Sequence, residues 1–358
     1  MVKDKNLSKF FKNKRILITG NTGFVGSWLT YYLMNYKCDL YGISKNNSNK
    51  KNLFNIFNLK NKIKNYTIDL VDEKKTTNIL TLKFHFIIHL AADPLVIDGI
   101  KNPKKIIENN FLSTLRLINN LKANNKTIFL NFTTDKVYEN NDKLKKYFTE
   151  NDRLFGQDPY SFSKTCCDLM LKMWSTNNKA NKCRYLNIRS GNIIGGGDWN
   201  QGRIITDIIN FLFEKKKLVV RNPMSVRPWI HVIEVCIIIT QLLFTFNKSR
   251  KKFEAYNISP NKPDERNVLW IIKNSLKFFK LKKININISK NPFKEKKYLR
   301  LNNFKIKKYL NFDLSLSINE RLNLTLGWYK KFFDNDKNLE AFTKYQINYV
   351  HKKYKIIK

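Results

Sequence analysis

Residues 15–20 read RILITG, a short apolar run that stops on a glycine. Two more glycines follow at three-residue spacing in GNTGFVG, giving Gly20, Gly23 and Gly26. The chain then passes straight into a helix-like stretch, GSWLTYYLMNY. A tight turn of this kind aims backbone N–H groups and a helix N-terminus at an anion such as a pyrophosphate, and a glycine in the third place lets helix and strand pack closely. The same glycines in an isolated turn would say little. Between the first strand and first helix of an alternating chain they point to a dinucleotide site.

The alternation continues. CDLYGIS (38–44), NYTIDL (65–70), FHFIIHLAA (84–92), TIFLNFTT (127–134) and CRYLNIRSGNII (183–194) read as strands, with a helix from about Pro103 to Ala123 and another in SKTCCDLMLKMW. Strands separated by helices predict an α/β fold of Rossmann type, a doubly wound parallel sheet whose strands are apolar on both faces. After Asn192 the rhythm breaks in the glycine-rich GGGDWNQGR. The pattern predicts a dinucleotide-binding domain over 1–190 with returning segments near 230–260. It also predicts a smaller lobe from 191–229 and 261–335, and a basic C-terminal tail over 336–358.

The net charge is +39, from 67 basic and 28 acidic residues. Most of the basic residues are lysines spread along the chain among many Asn and Ile, the residues of A/T-rich codons. No compact basic block with interleaved aromatics stands out, so nucleic acid is not an expected partner. The five cysteines lack metal spacing and read as reduced thiols of a cytoplasmic protein. No metal is expected: His85 and His89 fall on one side of a strand, and core roles suit them better. His231 has an ordinary buried reading. The most apolar run, Val232–Phe246, holds Glu234 and Gln241 and is too short to span a bilayer. The N-terminal MVKDKNLSKFFKNKR has no apolar core of a signal peptide, and no membrane association is expected.

Two motifs carry chemistry. The fifth strand ends in Thr133, Thr134, Asp135 and Lys136, a charged pair where an apolar strand stops. Burying such a pair is costly unless it is used, and a charged turn is the plain alternative. PYSFSK supplies Tyr160 and Lys164, four apart and so on one helix face. An ammonium near a phenol favours the phenolate, which makes a base for a substrate hydroxyl. Alone, this spacing is common; downstream of the glycine turn and TTDK it is specific. An acid at the end of the second strand, the usual ribose ligand of an NAD site, is absent: Ser44 and Lys45 stand there, and Asp39 comes too early. NADP is therefore not excluded at that position. Asp69 is placed for an adenine edge or for a turn.

With these motifs in place, the chain resembles the extended short-chain dehydrogenases/reductases, the group of nucleotide-sugar dehydratases and epimerases. The resemblance rests on TGNTGFVGSWL (19–29), HLAADPLV (89–96), TTDKVYEN (133–140), ENDRLFGQDPYSFSK (150–164), RSGNIIGGGDW (189–199), RPWIHV (227–232) and YNISP (256–260), and it reaches TLGWYKKFF (325–333). Asp-Lys after the threonine is the form of the dehydratases that act on CDP-glucose, where those acting on dTDP-glucose usually carry Asp-Glu.

The resemblance implies NAD as cofactor, held by Gly20, Asn21, Thr22, Gly23, Phe24, Val25, Gly26, Ser44, Asp69, Leu70, Leu90, Ala91, Ala92 and Asn110 together with Tyr160 and Lys164. It implies Thr134, Asp135, Lys136, Tyr160 and Lys164 as catalytic residues. Asn192, Arg203, Arg227, Trp229 and Asn257 would meet the substrate, with arginine forks on its diphosphate. The implied reaction converts CDP-glucose to the 4-keto-6-deoxy sugar nucleotide and water. C4 is oxidised with Tyr160 as base, water is lost across C5 and C6 with Asp135 as acid and Lys136 near the C5 proton, and C6 is then reduced. A homodimer or homotetramer and a place in making O-antigen deoxysugars are implied too. The alternatives are another nucleotide-sugar 4,6-dehydratase, a 4-epimerase, or a non-catalytic dinucleotide-binding regulator. Epimerases lack the acid–base pair after the threonine, and intact Tyr160 and Lys164 speak against the regulator. Asn21, Val25, Asp93 and Ile97 depart from the expected pattern.

Overall fold

The computed structural model describes residues 1–46, 49–122, 126–142, 146–177, 183–261, 264–281, 287–288 and 296–356. Ala123, which marked the expected end of one helix, lies outside them.

Seven strands form one sheet: β1 (Arg15–Thr19), β2 (Asp39–Ser44), β3 (Lys64–Thr67), β4 (Phe86–His89), β5 (Ile128–Thr134), β6 (Arg184–Ser190) and, after the short pieces β7 (Ile193–Ile194), β8 (Val219–Val220), β9 (Val226–Arg227) and β10 (Ile230–His231), the late strand β11 (Phe253–Ile258). Their order is β11-β6-β5-β4-β1-β2-β3, and every neighbouring pair is parallel. The order reverses between β1 and β4, which opens a crevice at the carboxyl ends of these two strands.

The apolar runs are explained by burial on two faces. Ile16 and Ile18 belong to one core and Leu17 to the other; Ile128 and Leu130 face one way and Phe129 the opposite way. The period of two in a strand sends alternate side chains to opposite layers. The expected sixth strand is split, because the chain turns at Gly191–Asn192 between β6 and β7. A Cβ at Gly191 would lie 2.4 Å from the Pro228 ring.

The helix Val232–Asn247 is buried nearly all round, as its continuous apolar sequence requires. The smaller lobe holds β8 with β13 (Asn287–Ile288), β9 with β12 (Arg266–Asn267), and the helices Ile204–Glu214 and Val268–Phe278. The segment from 336 is not a free basic tail. Helix Leu339–Lys353 buries Leu339, Thr343, Ile347 and Val350 while its lysines face outward. The next turn returns to the other end of the chain, where the Asp4 N–H donates to the Ile356 carbonyl.

One buried ion pair ties these parts together. Arg321, on helix Ile318–Phe333, gives Nε to Glu234 Oε2 at 2.7 Å and a second N–H to Oε1 at 3.0 Å, and both side chains are fully buried. Glu234 also accepts from the His231 N–H at 2.9 Å, which completes the N-terminal cap of the core helix, and from the Tyr354 hydroxyl. Arg321→Met strands this carboxylate in the core. Its expected cost is about 3–5 kcal/mol, the range for breaking a buried pair, read as a lower urea midpoint; an unchanged midpoint would show that Glu234 finds other partners.

Candidate active site

A cleft of about 870 Å³ runs along the carboxyl ends of the strands. It is bordered by the glycine turn, the end of β5, the first turn of helix Pro159–Asn177 and segments of the smaller lobe. Gly20 has φ +71, and a Cβ there would lie 2.8 Å from the Ala91 nitrogen. At Gly26 a Cβ would meet the Gly20 carbonyl oxygen at 2.1 Å. The helix Phe24–Met34 therefore begins pressed against β1, and no side chain caps it. Its unsatisfied N–H groups and the positive end of its dipole face the cleft, so the residues present fit a dinucleotide pyrophosphate.

Of the expected cofactor residues, Gly20, Gly23, Phe24, Val25, Gly26, Leu90 and Ala92 line the cleft with Tyr160 and Lys164. Other expected cofactor residues do not reach its wall. Asn21 is buried beneath β2, where its Nδ2 donates to Asn65 Oδ1 at 2.7 Å and its amide packs on Gly42. Thr22 gives its carbonyl to Asn52 Nδ2, and Ala91 N–H donates to Thr19 Oγ1 at 3.3 Å. Ser44 is buried at the end of β2. Asp69 pairs with Lys45 at 3.3 Å and accepts from the Val71 N–H, so it closes a turn; Leu70 joins the core. Asn110 lies in a one-turn π-helical widening, Glu108–Leu112, where its Oδ1 accepts from the Asp93 N–H at 2.8 Å and its Nδ2 donates to Ser163 Oγ at 3.0 Å.

The end of β5 brings Thr134, Asp135 and Lys136 into the cleft. Asp135 is buried, with Lys136 Nζ 3.1 Å and Thr134 Oγ1 3.0 Å from the same oxygen, Oδ1. Its second oxygen, Oδ2, is enclosed and has no hydrogen-bond partner among the described residues. A charged pair that served only as a turn would spend both oxygens on its surroundings. Here one carboxylate oxygen is left over in a cavity.

Tyr160 and Lys164 share the cleft wall from their helix. Their electrostatics differ from the simple pair read in the sequence. Burial pushes the Tyr160 phenol up to about 12; Arg203 and a hydrogen bond with Thr134 pull it down, and Asp135 and Asp158 push it up further. The cation that most eases its ionisation is thus Arg203. Burial likewise lowers Lys164. Arg203 is itself aimed by Asp198, 2.8 Å away, whose carbonyl accepts from the buried Tyr329 hydroxyl at 2.6 Å.

Asn192, Arg203, Arg227 and Trp229 line the cleft, and Asn257 does not. Arg227 donates to the Val226 carbonyl at 2.9 Å, and Trp229 Nε1 donates to the Arg266 carbonyl at 2.8 Å. Asn257 accepts from the Tyr138 hydroxyl at 2.6 Å and donates to the Phe148 carbonyl, so it holds Tyr138, which does reach the cleft. Asp198, Arg221, Asn222 and Lys296 also line it and were not foreseen. No motif spacing marks them; only the return of the smaller lobe over the sheet brings them in.

The histidines serve the scaffold. His89 sits between Thr19 Oγ1 at 2.7 Å and Thr114 Oγ1 at 2.8 Å, and burial drives its imidazole down to about 3. His85 Nδ1 accepts from the Arg15 N–H, and His231 caps the core helix. Among the described residues no group of three or more His, Cys, Asp or Glu is placed to hold a metal. No helix among them is long and apolar enough to cross a membrane.

Residues 16–259 match the NAD dependent epimerase/dehydratase family. The chain is 30% identical over 347 residues to a CDP-glucose 4,6-dehydratase of Salmonella typhimurium, covering 94% of this chain and 95% of that protein. It is 23% identical to a UDP-glucose 4-epimerase of Mycoplasma genitalium, over 90% and 98% of the two chains. The fold is shared with a dTDP-glucose 4,6-dehydratase from Bacillus anthracis solved in complex with NAD, at a TM-score of 0.75 and 20% identity, covering 92% of this chain and 99% of that one. The glycine turn, the reversed strand order and the cleft thus accompany a sequence match over most of the chain, which belongs to the NAD dependent epimerase/dehydratase family.

Proposed function

We propose that the protein is a nucleotide-sugar 4,6-dehydratase that uses NAD and that its substrate is CDP-glucose. The observation that carries the reaction class is the enclosed Asp135 Oδ2, unpartnered among the described residues, in a cleft shared with Thr134, Tyr160 and Lys164. Asp135–Lys136 and the relative that is a CDP-glucose 4,6-dehydratase support the cytidine form. An epimerase needs no proton donor at C6, so a spare carboxylate oxygen there favours elimination.

Bound at the glycine turn, NAD supplies the oxidising equivalent at sugar C4 and returns it at C6. The chain's residues do the rest. Tyr160 Oη takes the proton of the 4-hydroxyl, and Thr134 Oγ1 hydrogen-bonds the 4-oxygen. Arg203 offsets the charge that develops on the phenolate. The Asp135–Lys136 pair first passes a proton from Nζ to the carboxyl. The 4-ketone acidifies the C5 hydrogen, the neutral Lys136 amine takes it as a proton, and Asp135 Oδ2 delivers its own proton to the departing 6-hydroxyl, which returns the pair to its charged form. Arg203 and Arg227 hold the diphosphate, with Asn192 and Trp229 beside it. The apolar wall of Leu95, Val96, Ile97 and Ile100 limits access of bulk water to the reacting carbons. We assign the protein to the cytoplasm as a homo-oligomer. Phe162, Leu169 and Met173, 47–48% exposed on one face of helix Pro159–Asn177, give a second copy an apolar stripe, and sedimentation as a monomer would remove this point.

Purified protein incubated with CDP-, dTDP-, UDP- and GDP-hexoses is expected to dehydrate CDP-glucose, seen as a loss of one water by mass and new 4-keto absorbance. Interconversion of C4 epimers without mass loss would replace this reading with an epimerase. Tyr160→Phe keeps the ring and removes the acid/base oxygen; turnover is expected to fall by about two to four powers of ten. Because burial raises this phenol, its base form gains population as pH rises, so wild-type turnover is expected to climb on the alkaline side and the variant's to stay flat. Asp135→Asn removes the acid and leaves the base. It should form reduced cofactor with bound substrate, visible at the nicotinamide absorbance, yet release little water. Wild-type water loss in this variant would reduce TTDK to a charged turn.

A further inference from the structure

The far end of the cleft has a polar edge that the reaction does not use. Arg221 and Asn222 line it, directly after the two-residue strand β8. Their position follows from a short chain of contacts. Arg203 lies close enough to Tyr160 to pull its phenol down. The next residue toward the rim, Gly202, gives its carbonyl to Arg221 Nη2 at 3.1 Å. Asp207, on the same turn, is raised by burial and eased downward by the Gly202 N–H and by Arg221. Moving away from the reacting carbon, the order is therefore Tyr160, Arg203, Arg221, Asn222.

Apolar side chains back this end. Val219, Val268 and Leu299 line it. Backbone bonds hold them together: Val268 N–H to the Ser225 carbonyl at 3.1 Å, Leu269 N–H to Pro223 at 2.8 Å and Leu299 N–H to Val226 at 3.4 Å. Asn222 Nδ2 is enclosed and has no acceptor among the described residues. A buried amide donor without an acceptor is costly, and one on a cleft wall points to a ligand that supplies the acceptor.

Taking the nucleotide-sugar reading above as its basis, we infer that Arg221 and Asn222 read the pyrimidine base and select cytosine. With sugar C4 at Tyr160 and the diphosphate between Arg203 and Arg227, the base lies at the Arg221 end. Cytosine presents two neighbouring acceptors on its pairing edge, O2 and N3. Uracil and thymine present O2 and an N3–H donor. An amide alone does not distinguish them, since it turns over to offer either a donor or an acceptor. A guanidinium has donors only. With the Asn222 donor on O2 and the Arg221 guanidinium on N3, the pair offers a donor to each. It matches O2 and N3 of cytosine and sets a donor against the N3–H of the other two bases.

The test separates base reading from catalysis by measuring binding of free nucleoside diphosphates calorimetrically. Wild-type protein is expected to bind CDP about tenfold more tightly than UDP or dTDP, the penalty for setting a donor against a donor. Arg221→Gln, which offers both donor and acceptor, is expected to bring the three nucleotides close to equal affinity and to raise KM for CDP-glucose. Asn222→Asp, which sets an acceptor against the O2 that all three bases carry, is expected to weaken CDP, UDP and dTDP alike. Equal wild-type affinities, or an undiminished CDP preference in Arg221→Gln, would overturn the assignment. Failure of the underlying reading looks different: the CDP preference would persist with no nucleotide-hexose dehydrated. Equal dehydration of all the nucleotide-glucoses would keep the reaction and remove the base reader.

Discussion

Gly26 against Gly20 is the contact on which the rest of the molecule depends. With 2.1 Å between a would-be Cβ and the Gly20 carbonyl oxygen, no other residue lets the helix start so close to the end of β1. That approach puts the uncapped helix N-terminus at the crevice. It also sets the depth of Trp28 one turn later, whose Nε1 donates to the Gly196 carbonyl at 2.8 Å. Gly196 in turn has no room for a side chain, since a Cβ would lie 2.1 Å from the Trp328 ring. Trp328 Nε1 then donates to Thr343 Oγ1 at 2.9 Å on the last helix. One line of contacts thus runs from the glycine turn through the GGG loop to the C-terminus. It fixes where the smaller lobe meets the sheet and so where Asp198 and Arg203 stand.

The site carries several buried ionisable groups, and their arrangement shows how the desolvation is met. Arg189 and Asp168 form a two-bond pair at 2.7 and 2.8 Å behind the cleft, and Arg189 also donates to the Tyr138 hydroxyl at 2.9 Å. This network is satisfied, and it stiffens a wall. Asp198 with Arg203 is a second pair, but Arg203 is shared with Tyr160. Asp135 is the exception: Lys136 and Thr134 both converge on one oxygen. Asp168 spends both its oxygens on Arg189. Asp135 keeps one oxygen, Oδ2, without a hydrogen-bond partner among the described residues.

Much of this was legible from residue order. The strands announced themselves because a parallel sheet covered on both faces needs continuous apolar runs, and Gly20, Gly23 and Gly26 marked the crevice because only glycine fits there. TTDK and the Tyr160–Lys164 spacing named residues that the fold brings together on one cleft wall, because charges at the end of an apolar strand need a use. What was not legible depends on contacts between distant segments. The role of Arg203 in easing Tyr160 ionisation needs the smaller lobe folded over the sheet, and no spacing in the sequence reports that. Asn257 and Asn110 lie behind the cleft wall, where they hold Tyr138 and the Asp93 backbone, and an asparagine with such contacts looks the same in sequence as one that meets a ligand. The last helix was hidden by its lysines: they lie on its outer face, while Leu339, Ile347 and Val350 fill the inner one.

The large positive charge fits this division between surface and cleft. With 67 basic and 28 acidic residues, most lysines have no acidic partner to pair with. Exposed pairs such as Lys330–Asp334 at 2.6 Å contribute little to stability in any case. At physiological salt the field of a surface lysine fades within about 8 Å. Scattered lysines therefore raise the encounter rate of any anion with the protein as a whole and do not choose among anions. Choice requires charges taken out of water and held in fixed directions. On the cleft wall Arg227 is braced by the Val226 carbonyl, Arg221 by the Gly202 carbonyl and Arg203 by the Asp198 carboxylate, while the Asp198 backbone carbonyl accepts from Tyr329. The lysine excess is thus free to drift with codon composition, while the arginines of the cleft are held by geometry.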